Sequence, residues 1–467
     1  MAFQVFNTLS RTKELFVPVQ QGKVGMYTCG PTVYDYPHIG NYRAYLVADL
    51  LKRWLVFKGL KVNQVMNITD VDDKTIRDSR KAKVPLKVFT DRYRQAFIED
   101  CQQLRILPPS TLCNATDHIK DMIALVECLL KKGIAYKGDD GSIYYSISKF
   151  KDYGRLAHID LEQLKTGASG RVKADEYTKD NPHDFALWKA YTPDDGDVVW
   201  DAPFGKGRPG WHIECSAMSS KYLGASFDIH TGGVDLVFPH HQNEIAQSEG
   251  CSNTRFVKYW IHNEWLLVDG EKMAKSKGNF FTFRDMLKKG ARPVDVRYLL
   301  LSTHYRQQLN FTFDGLAAAR GAVERIDNLI VALQQHKDGR SDGTSAELIG
   351  TLHRRFEEAM DDDLGIGEAL AAVFEFVKEV NAKLAANQVD AKDAGNYLDA
   401  LKQIDSVLGV MTFETGSLDS DIQRLVDERE AARKRKDFKS ADRIRDELKA
   451  KGVILEDTPT GIRWKRA

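Results

Sequence analysis

The sequence predicts an α/β chain: a parallel-sheet domain carrying an insertion, then an α-helical bundle, then a small C-terminal α+β unit. Three observations predict it. Apolar strand-like runs flank a helical pattern near the start, the stretch 316–410 is helical in pattern throughout, and residues 421–467 carry a charge balance of their own. The chain has 467 residues, of which 43% are hydrophobic and 28% charged, with a formal net charge of +1. That length holds several cores. The balanced charge excludes a uniformly basic nucleic-acid coat protein but leaves room for a local basic patch. MAFQVFNTLSRTKE lacks the apolar centre of a secretory signal. No apolar run approaches the roughly 18 residues of a membrane span. Six cysteines in a chain this long do not make a disulfide scaffold. A cytoplasmic protein without a membrane partner is expected.

Taken in order, VGMYT (24–28) reads as a strand stopped by Cys29-Gly30-Pro31. Residues 41–59 put Tyr45, Ala48, Leu51 and Leu55 on one helical face, with Gly59 as a stop. KVNQVMNIT (61–69) is a second strand. Strand, helix and strand in this order form a βαβ unit, hence a Rossmann-type parallel sheet with helices outside. Ligands bind beyond the carboxyl ends of such strands. Cys29 and Thr69 fall there, and His38 lies just before the helix. The first half of this domain is assigned to 1–117 and an insertion to 118–205, where KGDDGSIYYSIS suggests a hairpin and 161–184 is polar and rich in turn residues. ASFDIHTGG (225–233) and FVKYWIH (256–262) resume the sheet pattern; the second half is assigned to 206–256 and a lysine-loop and stem-contact region to 257–315. Amphipathic helices over 316–410 suggest an antiparallel bundle. The unit 421–467 has two charged helices and a hairpin, with 14 Lys/Arg against 10 Asp/Glu.

Two common nucleotide motifs are matched only on paper. GKGRPG (205–210) fits G-x-G-x-x-G, but WDAPF before it is a poor strand and Pro209 falls where the helix should open. GEKMAKS (270–276) has Lys275 where a phosphate loop needs its second glycine. Two separated pieces remain. His38-Ile39-Gly40-Asn41 sits at a helix N-terminus, where free N–H groups favour phosphate. Lys272, Lys275 and Lys277 form a cationic loop able to clamp polyphosphate. Each piece alone reads more readily as a cap or a solvated loop; the ordered pair after a βαβ start is far more specific. His240 and Glu244 are spaced i and i+4 after Pro239, which presents both on one helical face. On that spacing His241 points elsewhere, toward backbone or solvent. Cys29 and Cys215 read either as small buried hydrophobes or as ligands. Cys101, Cys113, Cys128 and Cys251 read as structural.

HIGN and KMAKS resemble the HIGH and KMSKS signatures of class I aminoacyl-tRNA synthetases. Further stretches make the chain similar to cysteinyl-tRNA synthetases: YTCGPTVYDYPHIGN, NITDVDDK, GWHIECSAMS, GGVDLVFPHHQNEIAQSE, EKMAKSKGNFF and KDFKSADRIRDELKAKGV. These run from residue 27 to 453. It departs at Asn41, at Ala274, and at Leu364-Gly365-Ile366-Gly367 after Asp361–Asp363, the last expected to lie in the helical bundle away from the chemistry.

The resemblance implies ATP-dependent activation of L-cysteine and its transfer to the 3′ end of tRNA(Cys) by a monomeric enzyme. It implies one Zn²⁺ per chain on Cys29, Cys215, His240 and Glu244. His38, Asn41, Lys272 and Lys275 are implied as catalytic. Gly40, Gly232, Gly233 and Asp235 join His38, Asn41 and Lys275 on ATP, with Mg²⁺ on the phosphates. For Gly232, Gly233 and Asp235 a glycine turn with a solvated acid is the other reading. Gly30, Thr69 and Trp211 are expected around the cysteine, with Trp211 also readable as plain core. A metal that takes thiolate but not hydroxyl would separate cysteine from serine, so no editing domain is expected. The tail, with Arg433-Lys434-Arg435-Lys436 and Arg463-Trp464-Lys465-Arg466, is expected to read the anticodon. Two rivals share parts of this pattern. A ligase joining cysteine to a small amine would lack the basic, aromatic-bearing tail, and a catalytically dead RNA-binding relative would have lost the lysines and ligands.

Overall fold

A computed structural model describes residues 2–159, 184–413, 420–451, 453–458 and 461–466. Residues 161–183 of the polar stretch in the insertion lie outside them. The chain divides into two compact units, Met1–Leu316 with Glu358–Gly367, and Ala317–Glu357 with Glu368–Ala467.

The first unit begins with a hairpin, β1 (Gln4–Asn7) and β2 (Thr12–Leu15). Then follow β3 (Lys23–Thr28), α1 (Ile39–Phe57) and β4 (Lys61–Ile68), the βαβ unit. Tyr45, Ala48, Leu51 and Leu55 are all buried, as their spacing requires. Gly59 takes φ +81°, the left-handed conformation that ends a helix without a Cβ penalty. Helices α2 (Asp73–Ala82) and α3 (Leu86–Gln103) lead to β5 (Thr111–Asn114), and α4 (Ile119–Lys131) follows. The insertion then forms an antiparallel sheet of β6 (Ala135–Lys137), β7 (Ile143–Tyr145), β8 (Phe185–Ala190) and β9 (Gly207–Pro209). Its first two strands are the hairpin expected from KGDDGSIYYSIS. The GKGRPG match supplies only the three-residue edge strand β9, antiparallel to β8.

After α5 (Trp211–Leu223) the chain returns to the parallel sheet through β10 (Phe227–Gly233), α6 (Gln242–Ser252) and β11 (Val257–Asn263). The strand order is β11-β10-β3-β4-β5, parallel at every pairing. The sheet therefore extends past residue 256: the apolar run 256–262 is its edge strand rather than the start of the lysine-loop region. The order reverses between β3 and β10, the switch point where such sheets open a crevice at their carboxyl edge. Tyr27, Val65, Val126, Met218 and Trp260 belong to the core that covers one face. Cys128 of α4 and Cys251 of α6 form a disulfide, so two of the four cysteines read as structural hold each other. Their 123-residue separation gives no local signal of it.

Beyond the sheet, β12 (Leu266–Val268) pairs with β13 (Glu271–Lys272) on one side and with β14 (Leu309–Phe311) on the other. Helices α7 (Phe283–Lys288) and α8 (Pro293–Leu301) lie between β13 and β14 in sequence. Residues 358–367 also belong to this unit, contrary to their expected place in the bundle. The cause is Asp363, buried at φ +59°. Its carboxylate accepts from Phe6 N (2.8 Å), Tyr305 Oη (2.5 Å) and Arg306 Nε (2.7 Å).

In the second unit, α9 (Phe313–Gln334), α10 (Ser345–Asp361), α11 (Ile366–Ala385) and α12 (Ala391–Leu408) supply the bundle; α9 and α11 begin in the first unit and α10 ends in it. Val323, Ile326, Phe356, Phe376, Tyr397 and Leu401 are among its buried residues. The tail has α13 (Ser420–Lys434) and α14 (Phe438–Ala450), packed through Ile422, Leu425, Val426, Ile444 and Leu448, then the hairpin β15 (Val453–Thr458) and β16 (Gly461–Arg466).

Candidate active site

Cys29 follows β3 directly and Thr69 follows β4, so both leave the sheet at its carboxyl edge. Cys215 lies in α5. His240 belongs to a five-residue π-helical turn, Val237–His241, that runs into α6, which carries Glu244. All four are buried, and one ligand atom from each lies within 4.8 Å of the others. Cys29 Sγ is 3.9 Å from Cys215 Sγ and 3.9 Å from Glu244 Oε1; His240 Nε2 is 3.1 Å from the same oxygen.

The surroundings orient these groups. His240 Nδ1 faces His212 Nδ1 at 2.9 Å, and Glu244 Oε2 faces His230 Nε2 at 2.9 Å. Outer partners of this kind fix ring and carboxylate orientation around a metal. Burial pushes the Cys29 thiol up to about 11. Burial would lower His240, but Cys215 and Glu244 beside it reverse this and raise it to about 10. Burial would raise Glu244, but His230 and His240 hold it at about 2. Two thiols, an imidazole and a carboxylate gathered in a buried cluster could hold a metal ion, and they are donor types that suit zinc.

His241 corrects the expectation that it points away. It is fully buried, its Nε2 lies 3.3 Å from Cys29 Sγ, and its Nδ1 lies 2.8 Å from His262 Nε2. The physical reason is that i+3 shares a face with i+4, so both His240 and His241 flank Glu244. Cys29, His230, His241 and Glu244 thus form a second possible set, sharing two members with the first. His262 in turn reaches Thr8 Oγ1 at 2.8 Å. Sequence reading missed His212, His230 and His262. The signal was a histidine inside each of FDIHTGG and FVKYWIH, where a buried strand expects an apolar residue.

At the end of β4, Thr69 donates from Oγ1 to Glu214 Oε2 (2.9 Å) and accepts from Asn67 Nδ2 (3.1 Å). Asn67 Oδ1 accepts from Gly30 N at 2.8 Å. Glu214, buried next to Cys215, was not anticipated either. Trp211 is no core residue: it is 40% exposed and its ring stacks on His240 with centroids 4.3 Å apart.

The HIGN and KMAKS pieces, more than two hundred residues apart in sequence, touch. Ile39 N donates to Phe281 O (3.0 Å), the His38 ring meets Phe280 edge-on, and a Cβ on Gly40 would lie 2.9 Å from Met273 Cε. His38 caps α1: its Nδ1 accepts from Asn41 N (3.3 Å), while Asn41 Oδ1 accepts from His38 N (3.0 Å). Asparagine at this place therefore closes a capping box. With Nδ1 accepting, the neutral ring carries its proton on Nε2. Burial lowers His38 to about 4, which keeps the ring neutral at pH 7. Lys275 Nζ is 2.5 Å from Asp35 Oδ2, and Lys272 Nζ lies 4.4 Å from the centre of the Trp265 ring. Gly232 and Gly233 end β10. A Cβ at Gly232 would stand 2.7 Å from the His241 ring, so this glycine makes room for the histidine cluster. Asp235 is exposed in the turn that follows.

Residues 15–321 match the family described as tRNA synthetases class I (C) catalytic domain, residues 355–412 the DALR domain, and residues 415–464 the cysteinyl-tRNA ligase anticodon binding domain. The chain is 49% identical to the cysteine–tRNA ligase of Brachyspira hyodysenteriae, over 99% of this chain and 98% of the relative. It is also 49% identical to that of Chlamydia muridarum, over 99% of each. Among solved structures it resembles Mycobacterium tuberculosis methionyl-tRNA synthetase in complex with methionyl-adenylate, with TM-score 0.60 at 16% identity over 84% of this chain and 90% of that one. A leucyl enzyme from Agrobacterium radiobacter K84 gives TM-score 0.59 at 12% identity over 84% and 85%. At such identities the two structures speak for the fold alone. No helix among the described residues is long and apolar enough to cross a membrane.

Proposed function

The chain belongs to the cysteine–tRNA ligase family of class I aminoacyl-tRNA synthetases, and from that premise we propose how its residues divide the work. The reaction is the ATP-dependent joining of L-cysteine to tRNA(Cys). The observation that carries the assignment of roles is the buried convergence of Cys29, Cys215, His240 and Glu244. These four would hold one zinc ion, which when bound favours thiolate over hydroxyl and separates cysteine from serine where pocket shape alone manages about 10²-fold. The set with two thiols is preferred to the His230–His241 set because its second thiol is the softer donor for zinc and because it leaves His230 as the outer partner of Glu244 Oε2.

The cysteine lies at the carboxyl edge of the sheet between Gly30, Thr69 and the partly exposed Trp211 ring. ATP lies over the start of α1 and the end of β10, against Gly40, Gly232, Gly233 and Asp235. The amino-acid carboxylate attacks the α-phosphorus, the bond to the bridging oxygen of pyrophosphate breaks, and cysteinyl-adenylate forms. His38 donates from Nε2 and Asn41 from its side-chain amide to phosphate oxygens, with no proton gained or lost by the neutral imidazole. Lys272 and Lys275 leave Trp265 and Asp35 for the polyphosphate, a more highly charged anion, and neutralise the departing pyrophosphate. Mg²⁺ accompanies ATP as part of the substrate. A ribose hydroxyl at the tRNA 3′ end then takes the acyl group and releases AMP. No protein nucleophile takes part.

In the same reading 118–205 is a connective insertion, 316–410 a bundle, and 421–467 the anticodon unit, and the enzyme works in the cytoplasm as a monomer. The anticodon-domain match over 415–464 disfavours the small-amine ligase. The test is cysteine-dependent ATP–pyrophosphate exchange, with serine as competitor and before and after zinc stripping, followed by charging of purified tRNA. Exchange with cysteine, loss of discrimination on stripping, and charging are expected. Exchange without charging would return the small-amine ligase, and equal use of serine by the zinc-loaded enzyme would remove the role given to the metal.

A further inference from the structure

Arg43 lies in the second turn of α1 and is fully buried. Among the described residues its guanidinium donates to four main-chain carbonyls. Nη1 reaches Glu264 O and Trp265 O, both at 2.8 Å; Nη2 reaches His304 O at 3.2 Å and Gln307 O at 2.6 Å. These carbonyls belong to two connections: 264–265 joins β11 to β12, and 304–307 leads into β14. The connections are also tied to each other, through Glu264 N to Tyr305 O (2.8 Å) and Leu309 N to Trp265 O (3.1 Å). β12 pairs with β13, which ends at Lys272, and the Trp265 ring carries the Lys272 ammonium. The helix that bears Arg43 begins with His38 and Asn41. One planar group therefore spans the helix that offers the phosphate-facing imidazole and the platform from which the lysine loop departs.

We propose that Arg43 is a positioning residue for adenylate formation, fixing the separation between the His38–Asn41 end of α1 and the Lys272–Lys275 loop. This rests on the reading above that those lysines act on pyrophosphate. Arginine suits the task because its donors are held in a rigid planar fork. A lysine offers three N–H groups from one atom and cannot serve both connections from the same place. Cysteine recognition is built on other elements, the ends of β3 and β4, the first turns of α5 and the start of α6, so it is independent of this tie. Transfer to tRNA, which begins after pyrophosphate has left, is independent of the lysines.

The test is Arg43→Lys in the full-length, zinc-loaded enzyme, with Arg43→Gln as a second variant should lysine not be accepted. A displacement of about 1 Å at the reacting groups costs about 10²-fold. Exchange kcat is expected to fall by that order, with the KM for cysteine and single-turnover transfer from preformed adenylate within about twofold of wild type. The double variant with Lys275→Ala is expected to be no slower than the slower single variant, since both changes disable one unit. Arg43 variants with near-wild-type exchange, a KM for cysteine and transfer rate that worsen in step with kcat, or fully additive losses in the double variant would each overturn the proposal. Lys275→Ala with wild-type exchange would overturn the reading of the lysine loop itself and the role of Arg43 with it. A slow Lys275→Ala beside a fast Arg43→Lys would overturn the Arg43 proposal alone.

Discussion

Adding one methyl group at Gly30 should disable cysteine activation. An alanine Cβ there would stand 1.7 Å from Asn67 O and 2.9 Å from Asn67 C. Bringing that first contact to 3.0 Å, the short limit for a Cβ, requires the ends of β3 and β4 to part by about 1.3 Å. The obstacle is backbone in a paired parallel strand, so no rotamer change relieves it. Overpacking of this kind typically costs about 1–3 kcal/mol of stability. The functional cost is larger, because the parting strands carry Cys29 on one side and Thr69 on the other. It also pulls on the relay from Gly30 N through Asn67 and Thr69 to Glu214, the neighbour of Cys215. A displacement of about 1 Å is expected to lower kcat/KM for cysteine by about 10²-fold. The assay is pyrophosphate exchange at saturating ATP with cysteine varied, alongside zinc content per chain and thermal unfolding. A Gly30→Ala enzyme with near-wild-type kcat/KM and full zinc would show that the close approach of these strand ends constrains nothing.

The histidine that faces His240 and the cap of α1 give two further expectations. His212→Ala removes the group that faces His240 Nδ1 at 2.9 Å, and zinc affinity measured by competition with a chromophoric chelator should fall by about 10–100-fold; unchanged affinity would deny His212 any orienting role. The partly buried His38 ring should titrate near 4 rather than 6.5, read by NMR of ring-labelled enzyme and assigned by loss of the signal in His38→Gln. Between those values the unfolded chain binds the proton and the folded one does not, so the stability His38 contributes is present above 6.5 and lost as the pH falls toward 4. A midpoint near 6.5 would show that its surroundings do not desolvate the ring.

Periodicity revealed the βαβ start well. The Tyr45–Leu55 stripe and the apolar runs at 24–28 and 61–69 are local patterns, and local patterns survive folding here. The edge strand at 257–263 was visible as an apolar run, but its membership of the sheet depends on strand order, which sequence spacing does not encode. The ligand set is the opposite case. Cys29 and Cys215 are 186 residues apart, and only His240–Glu244 had a readable spacing; the cysteines entered through family resemblance. His241 was misjudged because one spacing, i+4, was allowed to stand for a helical face that also includes i+3. The Cys128–Cys251 bond and the four-carbonyl tie of Arg43 leave no trace in the sequence, since their partners are a distant side chain in one case and backbone in the other.

The short stretch around Asp363 has a practical meaning for anyone dissecting the gene. The compact unit that holds the chemistry is not a continuous length of chain: it ends at Leu316 and resumes at Glu358 for ten residues. A fragment stopped at 316 would strip the acceptor from the Phe6 amide, the Tyr305 phenol and the Arg306 guanidinium in a single cut. Homologous recombination between relatives faces the same seam, because a crossover anywhere between the two pieces must import a matching pair or leave a positive charge without its counterion.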